Sequence, residues 1–130
     1  MEQENVELDK CGIGEDKPQI GPKRVVIEEY KIEMVKNQAG KEIGNKLNLL
    51  VKHPDVSDRQ IEISGLKYEV NGQIKTSGLW VKLDEDNKLP FRSATAHLVR
   101  FLKKADIANL KGEQVDTVAD DNGYLVIKAY

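Results

Sequence analysis

The residues of this 130-residue chain best suited to chemistry lie in Leu79-Trp80-Val81-Lys82-Leu83. Strand alternation puts Leu79, Val81 and Leu83 on one face and turns Trp80 and Lys82 to the other. An indole beside an ammonium on a sheet surface can stack on a nucleobase, worth about 1–3 kcal/mol per base, while the ammonium meets a phosphate. Packing of Trp80 beneath the helix, the tail or a neighbouring sheet wall is the competing role. The C-terminal strand repeats the theme, because Tyr124, Val126, Lys128 and Tyr130 share a face opposite an apolar set, Leu125, Ile127 and Ala129. Lys75 and Arg92 supply two further bases within reach of a bound polyanion. Tyr68 with Lys67 could extend this surface, although the alternation of Tyr68 with Leu66 and Val70 directs its ring inward. One Trp, four Tyr and two Phe are few for a protein that binds by stacking.

Other chemistries find little support. His53 and His97 are isolated and no Cys/His cluster has metal-ligand spacing, so no metal or other cofactor is expected. Asp84-Glu85-Asp86-Asn87 lacks the ligand order and terminal glutamate of an EF-hand loop and reads as a solvated acidic turn. There is no Walker loop, no Gly-x-Gly-x-x-Gly and no Gly-x-Ser-x-Gly, and no Ser/His/Asp trio is marked as a triad. A small hydrolase or nucleotide-handling enzyme is therefore the weakest reading, and a non-enzymatic role is expected.

The elements that must position these side chains follow from turns and periodicity. Val26, Tyr30, Ile32 and Met34 share a strand face that ends at Asn37-Gln38-Ala39-Gly40, and the return strand carries Leu47, Leu49 and Val51 before His53-Pro54-Asp55. Ile61 and Ile63, a bend at Ser64-Gly65, and Leu66, Tyr68 and Val70 then lead to Asn71-Gly72. Asn-Gly accepts the two positive φ angles of a tight hairpin, so the chain should reverse into residues 73–83. One helix is predicted from an N-cap at Ser93 to Lys104, with Ala94, Leu98, Phe101, Leu102 and Ala105 as its buried stripe and Thr95 off it. A short turn over Ile107–Lys111, stopped by Gly112, and a hairpin through Asp120-Asp121-Asn122-Gly123 complete the chain. The expected class is mainly β (α+β), with four strands before the helix and two after it.

Residues 1–22 hold six acids and two bases, a net of −4, with Gly and Pro concentrated at the end and no apolar period. A disordered acidic tail is expected there, followed by one domain over residues 23–130. The remainder carries 18 bases and 16 acids, too near balance for charge alone to identify a polyanion partner. Cys11 is the single cysteine, so no intramolecular disulfide forms and a reducing cytoplasm suits the chain. No apolar run reaches the ~20 residues that span a bilayer, and the first residues lack a signal-peptide pattern, so a membrane partner is not expected.

The order of strand meander, helix, short strand, Gly-turn and final strand resembles the oligonucleotide/oligosaccharide-binding (OB) fold. Leu110-Lys111-Gly112-Glu113-Gln114-Val115 and Asn122-Gly123-Tyr124-Leu125-Val126-Ile127 look like the last two strands of small single-stranded-DNA-binding proteins of prokaryotes and their viruses. The resemblance extends over residues 24–130 in organisation and is specific over about 78–130; the strand count before the helix exceeds the OB norm of three. It implies a small OB-like antiparallel barrel and a module binding single-stranded DNA or RNA. The expected contact residues are Trp80, Lys82, Lys75, Tyr124, Lys128, Tyr130 and Arg92, with the acidic tail modulating access or recruiting a protein partner. The alternative is a protein-interaction or structural subunit, for example of a viral assembly, that uses the same surface without nucleic acid.

Overall fold

A computed structural model describes residues 20–130 together with Asp9 and Ile13. Eight strands are present: β1 (Val25–Lys36), β2 (Glu42–His53), β3 (Val56–Ile63), β4 (Gly65–Val70), β5 (Gln73–Gly78), β6 (Trp80–Val81), β7 (Gln114–Ala119) and β8 (Leu125–Ala129). Among the described residues the one α-helix, α1 (Ala94–Phe101), precedes a 3-10 turn at Ile107–Leu110 and the last two strands. The mainly β reading, with one main helix before the final hairpin, therefore holds. The strands form one sheet in the order β3-β2-β1-β7-β8-β4-β5, with β6 added on β2, and this hydrogen-bonded ladder does not close. All pairs are antiparallel except β4 with β8.

Six strands precede the helix where four were expected, and two breaks account for the difference. Ser64 alone separates β3, which pairs with β2, from β4, which pairs with β8 and β5. Leu79 separates β5 from β6. Its N–H donates to Ser64 O (2.9 Å) and its carbonyl accepts from Leu47 N–H (2.8 Å), carrying the chain from β4 across to β2. The turns match their residue chemistry, since Asn71 and Gly72 take φ of 50° and 79° between β4 and β5.

Ile27, Leu47, Leu49, Ile63, Leu66, Leu79, Leu98, Leu110 and Ile127 form the centre of the core, each essentially removed from solvent. Each contributes about 1.5–3 kcal/mol of burial relative to exposure. A bulge at Glu28 shifts β1 by one residue, so Val25 and Ile27 point inward before it and Tyr30, Ile32 and Met34 continue that face after it. The predicted inward Val26 is thereby displaced. Ile20 packs against the core, His53 Nε2–H donates to Gly21 O (2.8 Å), and Lys23 N–H donates to Thr117 Oγ1 (2.8 Å). The rest of the expected acidic tail lies outside the described residues, apart from the exposed Asp9 and Ile13.

Helix α1 is capped as predicted, with Ser93 Oγ accepting from Ala96 N–H (3.1 Å). It ends three residues early. Lys103 takes the left-handed conformation (φ 58°) and Lys104 N–H donates back to Val99 O (3.0 Å), a Schellman-type stop. The buried stripe is Ala94, Thr95, Leu98 and Val99, whereas Phe101 is 45% exposed. Phe101 is thus not the core plug that its spacing suggested. Among the described residues no helix is long and apolar enough to cross a membrane.

Candidate nucleic-acid interface

Trp80 sits at the start of β6, in register with Lys46 of β2, so both side chains stand on the same, outer face of the sheet. The register and the glycines around it shape the site. Lys46 Nζ lies 5.1 Å from the centroid of the indole, within cation–π range. A Cβ at Gly78 would meet Lys46 Cε at 2.8 Å and Trp80 Nε1 at 3.0 Å, and one at Gly44 would meet Trp80 Cε3 at 3.5 Å. The bare backbone at Gly78 leaves room for the lysine end and the indole, whereas a Cβ at Gly44 would only touch the ring, and it is the φ of 150° that favours glycine there. Below the ring, the buried Thr95 hydroxyl donates to Trp80 O (2.7 Å), tying β6 to α1. Trp80 remains 37% exposed. It is neither buried by the helix nor free of the fold.

Lys46 also lines a groove of about 850 Å³ whose floor includes Gly65, Gly78 and Val126 and whose wall includes Tyr124. Tyr124 is 71% exposed on the β7–β8 turn, where Asp120 Oδ1 accepts from Asn122 N–H (2.9 Å) and Tyr124 N–H (2.8 Å) and fixes the loop. Registers extend the same outer face to Lys67 and Lys128, which are paired across β4 and β8. Lys128 Nζ lies 4.9 Å from the ring centroid of Tyr130, itself 43% exposed. Among the described residues, Lys46, Lys67 and Lys128 make no ion pair with an acid. Glu62 and Asp120 also line the groove, so its charge is mixed.

The expected contact residues therefore divide. Trp80, Tyr124, Lys128 and Tyr130 stand on or beside one face. Lys75 pairs in register with the inward Tyr68 and so belongs to the opposite side of β4–β5. Lys82 follows the end of β6, where the strand stops too soon to hold it beside Trp80; Leu83, expected in the core, is 51% exposed there. Arg92 is exposed just before α1, next to Phe91, whose ring lies 3.9 Å from Arg100 Cζ. The sequence reading missed Lys46, since only cross-strand register brings it to Trp80. The bracketing glycines, Gly44 and Gly78, were its one legible trace.

Among the described residues no three His, Cys, Asp or Glu side chains converge on a metal-sized site. No family model, no curated protein and no solved structure matches the chain.

Proposed function

We propose that this chain is a non-enzymatic, OB-like module that binds single-stranded nucleic acid across the outer face of its sheet. The observation that carries the reading is the Trp80–Lys46 pair beside a groove walled by the exposed Tyr124. Two aromatic faces flanking lysines that pair with no acid among the described residues suit unstacked bases and their phosphates. Two features of the strand order support an OB-like wrap. One nearly continuous strand, broken only at Ser64, joins β2 to β8, and its second half pairs with β8 in parallel. Bent at Ser64, such a strand would fold the open ladder around the core and leave the Trp80 face outward.

Trp80 is the only tryptophan, so its fluorescence reports the site directly. A mixed-sequence single strand at low salt should quench it, and duplex should bind more weakly because its bases are already stacked. Phosphate contacts from Lys46, Lys67 and Lys128 would give a slope of log affinity on log salt of about −2, at ~0.7 per contact. Absence of both quenching and a mobility shift with the folded protein would overturn the proposal and leave a protein-binding role for this face.

A further inference from the structure

Among the described residues, the far half of β1 is an open sheet edge. Strand β1 pairs with β7 only at Val25 and Val26, and its last backbone contacts on that side are Ile27 N–H to Glu113 O (2.9 Å) and Gly112 N–H to Ile27 O (2.7 Å). Beyond the bulge at Glu28, the other side of β1 faces no strand among the described residues. The direction of its polar groups follows from β2. Leu47, opposite Ile32, spends its N–H on Leu79 O, away from β1, so Ile32 and Leu47 are not hydrogen-bonded to each other. Ile32, and by alternation Tyr30 and Met34, therefore turn their N–H and C=O to the open edge. Such an edge is a template for another strand.

The side chains narrow the choice of strand. Tyr30, Ile32 and Met34 share one face, with Ile32 and Met34 45% and 44% exposed, and Lys31 and Glu33 share the other. We propose that this edge pairs antiparallel with β1 of a second copy of the chain, in the register that sets Ile32 against Ile32. In that register Tyr30 meets Met34 and Lys31 meets Glu33, each twice by symmetry. From Tyr30 to Met34 apolar residues face apolar ones and opposite charges face each other, and just outside that stretch Glu29 meets Val35. The adjacent registers fail this test, since centring on Lys31 opposes Lys31 to itself and Glu29 to Glu33, and centring on Glu33 opposes two glutamates. Like charges directly across a pair destabilise it. Within one copy Lys31 bridges Glu33 and Glu62 at 3.4 Å each, and Glu62 lies on β3 beyond β2, so the ammonium turns from β3 toward the edge to meet the second copy's Glu33. The pairing is independent of what the groove binds.

Sedimentation equilibrium of the full chain tests it. The expected result is a concentration-dependent dimer. Lys31→Glu and Glu33→Lys should each weaken dimerisation by roughly tenfold or more, because each sets like charges opposite one another twice. The double variant should restore the dimer by exchanging the two signs. Circular dichroism of each variant establishes that it is folded. A folded wild-type chain that stays monomeric, single reversals that leave the dimer unchanged, or a double variant no tighter than the singles would overturn the proposal. A monomer would mean that Lys31 and Glu33 guard the edge against association.

Discussion

Among the described residues three aromatic rings lie against a cation, and between Phe91 and Trp80 the closer contact belongs to the less constrained ring. Arg100 Cζ is 3.9 Å from the centroid of Phe91, whereas Lys46 Nζ is 5.1 Å from that of Trp80. Trp80 is nevertheless held by its strand register with Lys46, by the space that Gly78 leaves, and by the Thr95 hydroxyl on its carbonyl. Phe91 lies in the turn before Ser93, 73% exposed, with no strand partner. A cation near a ring costs little to arrange on any surface. What distinguishes a binding platform is a backbone that fixes the ring before the ligand arrives, so that little ordering entropy remains to be lost.

The largest expected effect separates the buried from the exposed side of α1. Leu98 is fully buried and Phe101 is 45% exposed, so Leu98→Ala should lower unfolding stability by about 2–5 kcal/mol. Phe101→Ala should cost about 1 kcal/mol or less, as a surface substitution. Chemical denaturation of both variants checks the pair. Equal losses would place Phe101 in the core rather than on the exposed side of α1.

Binding gives the next contrast. Trp80→Ala should weaken single-strand affinity by about 1–3 kcal/mol, the usual value of one stacked base, while Phe91→Ala should change it by only a few tenths. Titrations followed by anisotropy of a labelled strand compare the two directly. A Phe91 loss as large as that of Trp80 would show that exposure, rather than a fixed backbone, selects the stacking ring. The tie beneath Trp80 is tested by Thr95→Val, which removes the donor to a part-buried carbonyl and should cost about 1 kcal/mol of stability. It should also weaken binding, by loosening β6, if the fixed backbone matters.

How much of this was legible in the sequence follows from which interactions are local. The Asn71-Gly72 and Asp120–Gly123 turns and the Ser93 cap depend on neighbours in the chain, and each could be read there, whereas in β8 Val126, placed by alternation on the open face, is buried and Leu125 only partly so. The sequence overextends the helix because Lys103 occupies a left-handed position where sequence reasoning waits for glycine, and it puts Phe101 rather than Thr95 and Val99 on the buried stripe because it does not show which face meets the sheet. Non-local pairing was the larger gap. Nothing near Trp80 in sequence names Lys46, 34 positions earlier, and the passage of Leu79 from Ser64 to Leu47 is invisible until both strands are placed. The same gap assigned Lys75 to the wrong side of the sheet and Lys82 to a strand that had already ended.

That reassignment yields the smallest and most discriminating expected effect. Lys46→Gln keeps most of the aliphatic stem over the indole but removes the charge, so it should flatten the salt dependence of single-strand binding by about 0.7 in log–log slope, one phosphate contact's share. Affinity at high salt should change little, because the stacking contribution of Trp80 is uncharged. Lys82→Gln, in the exposed segment beyond β6, should leave the slope within error. The two lysines lie near Trp80 by different routes, one through register and one through sequence. If Lys82→Gln carried the slope change and Lys46→Gln did not, the phosphate path would follow the chain beyond β6 rather than the groove toward Tyr124, and the platform would extend toward Phe91 after all.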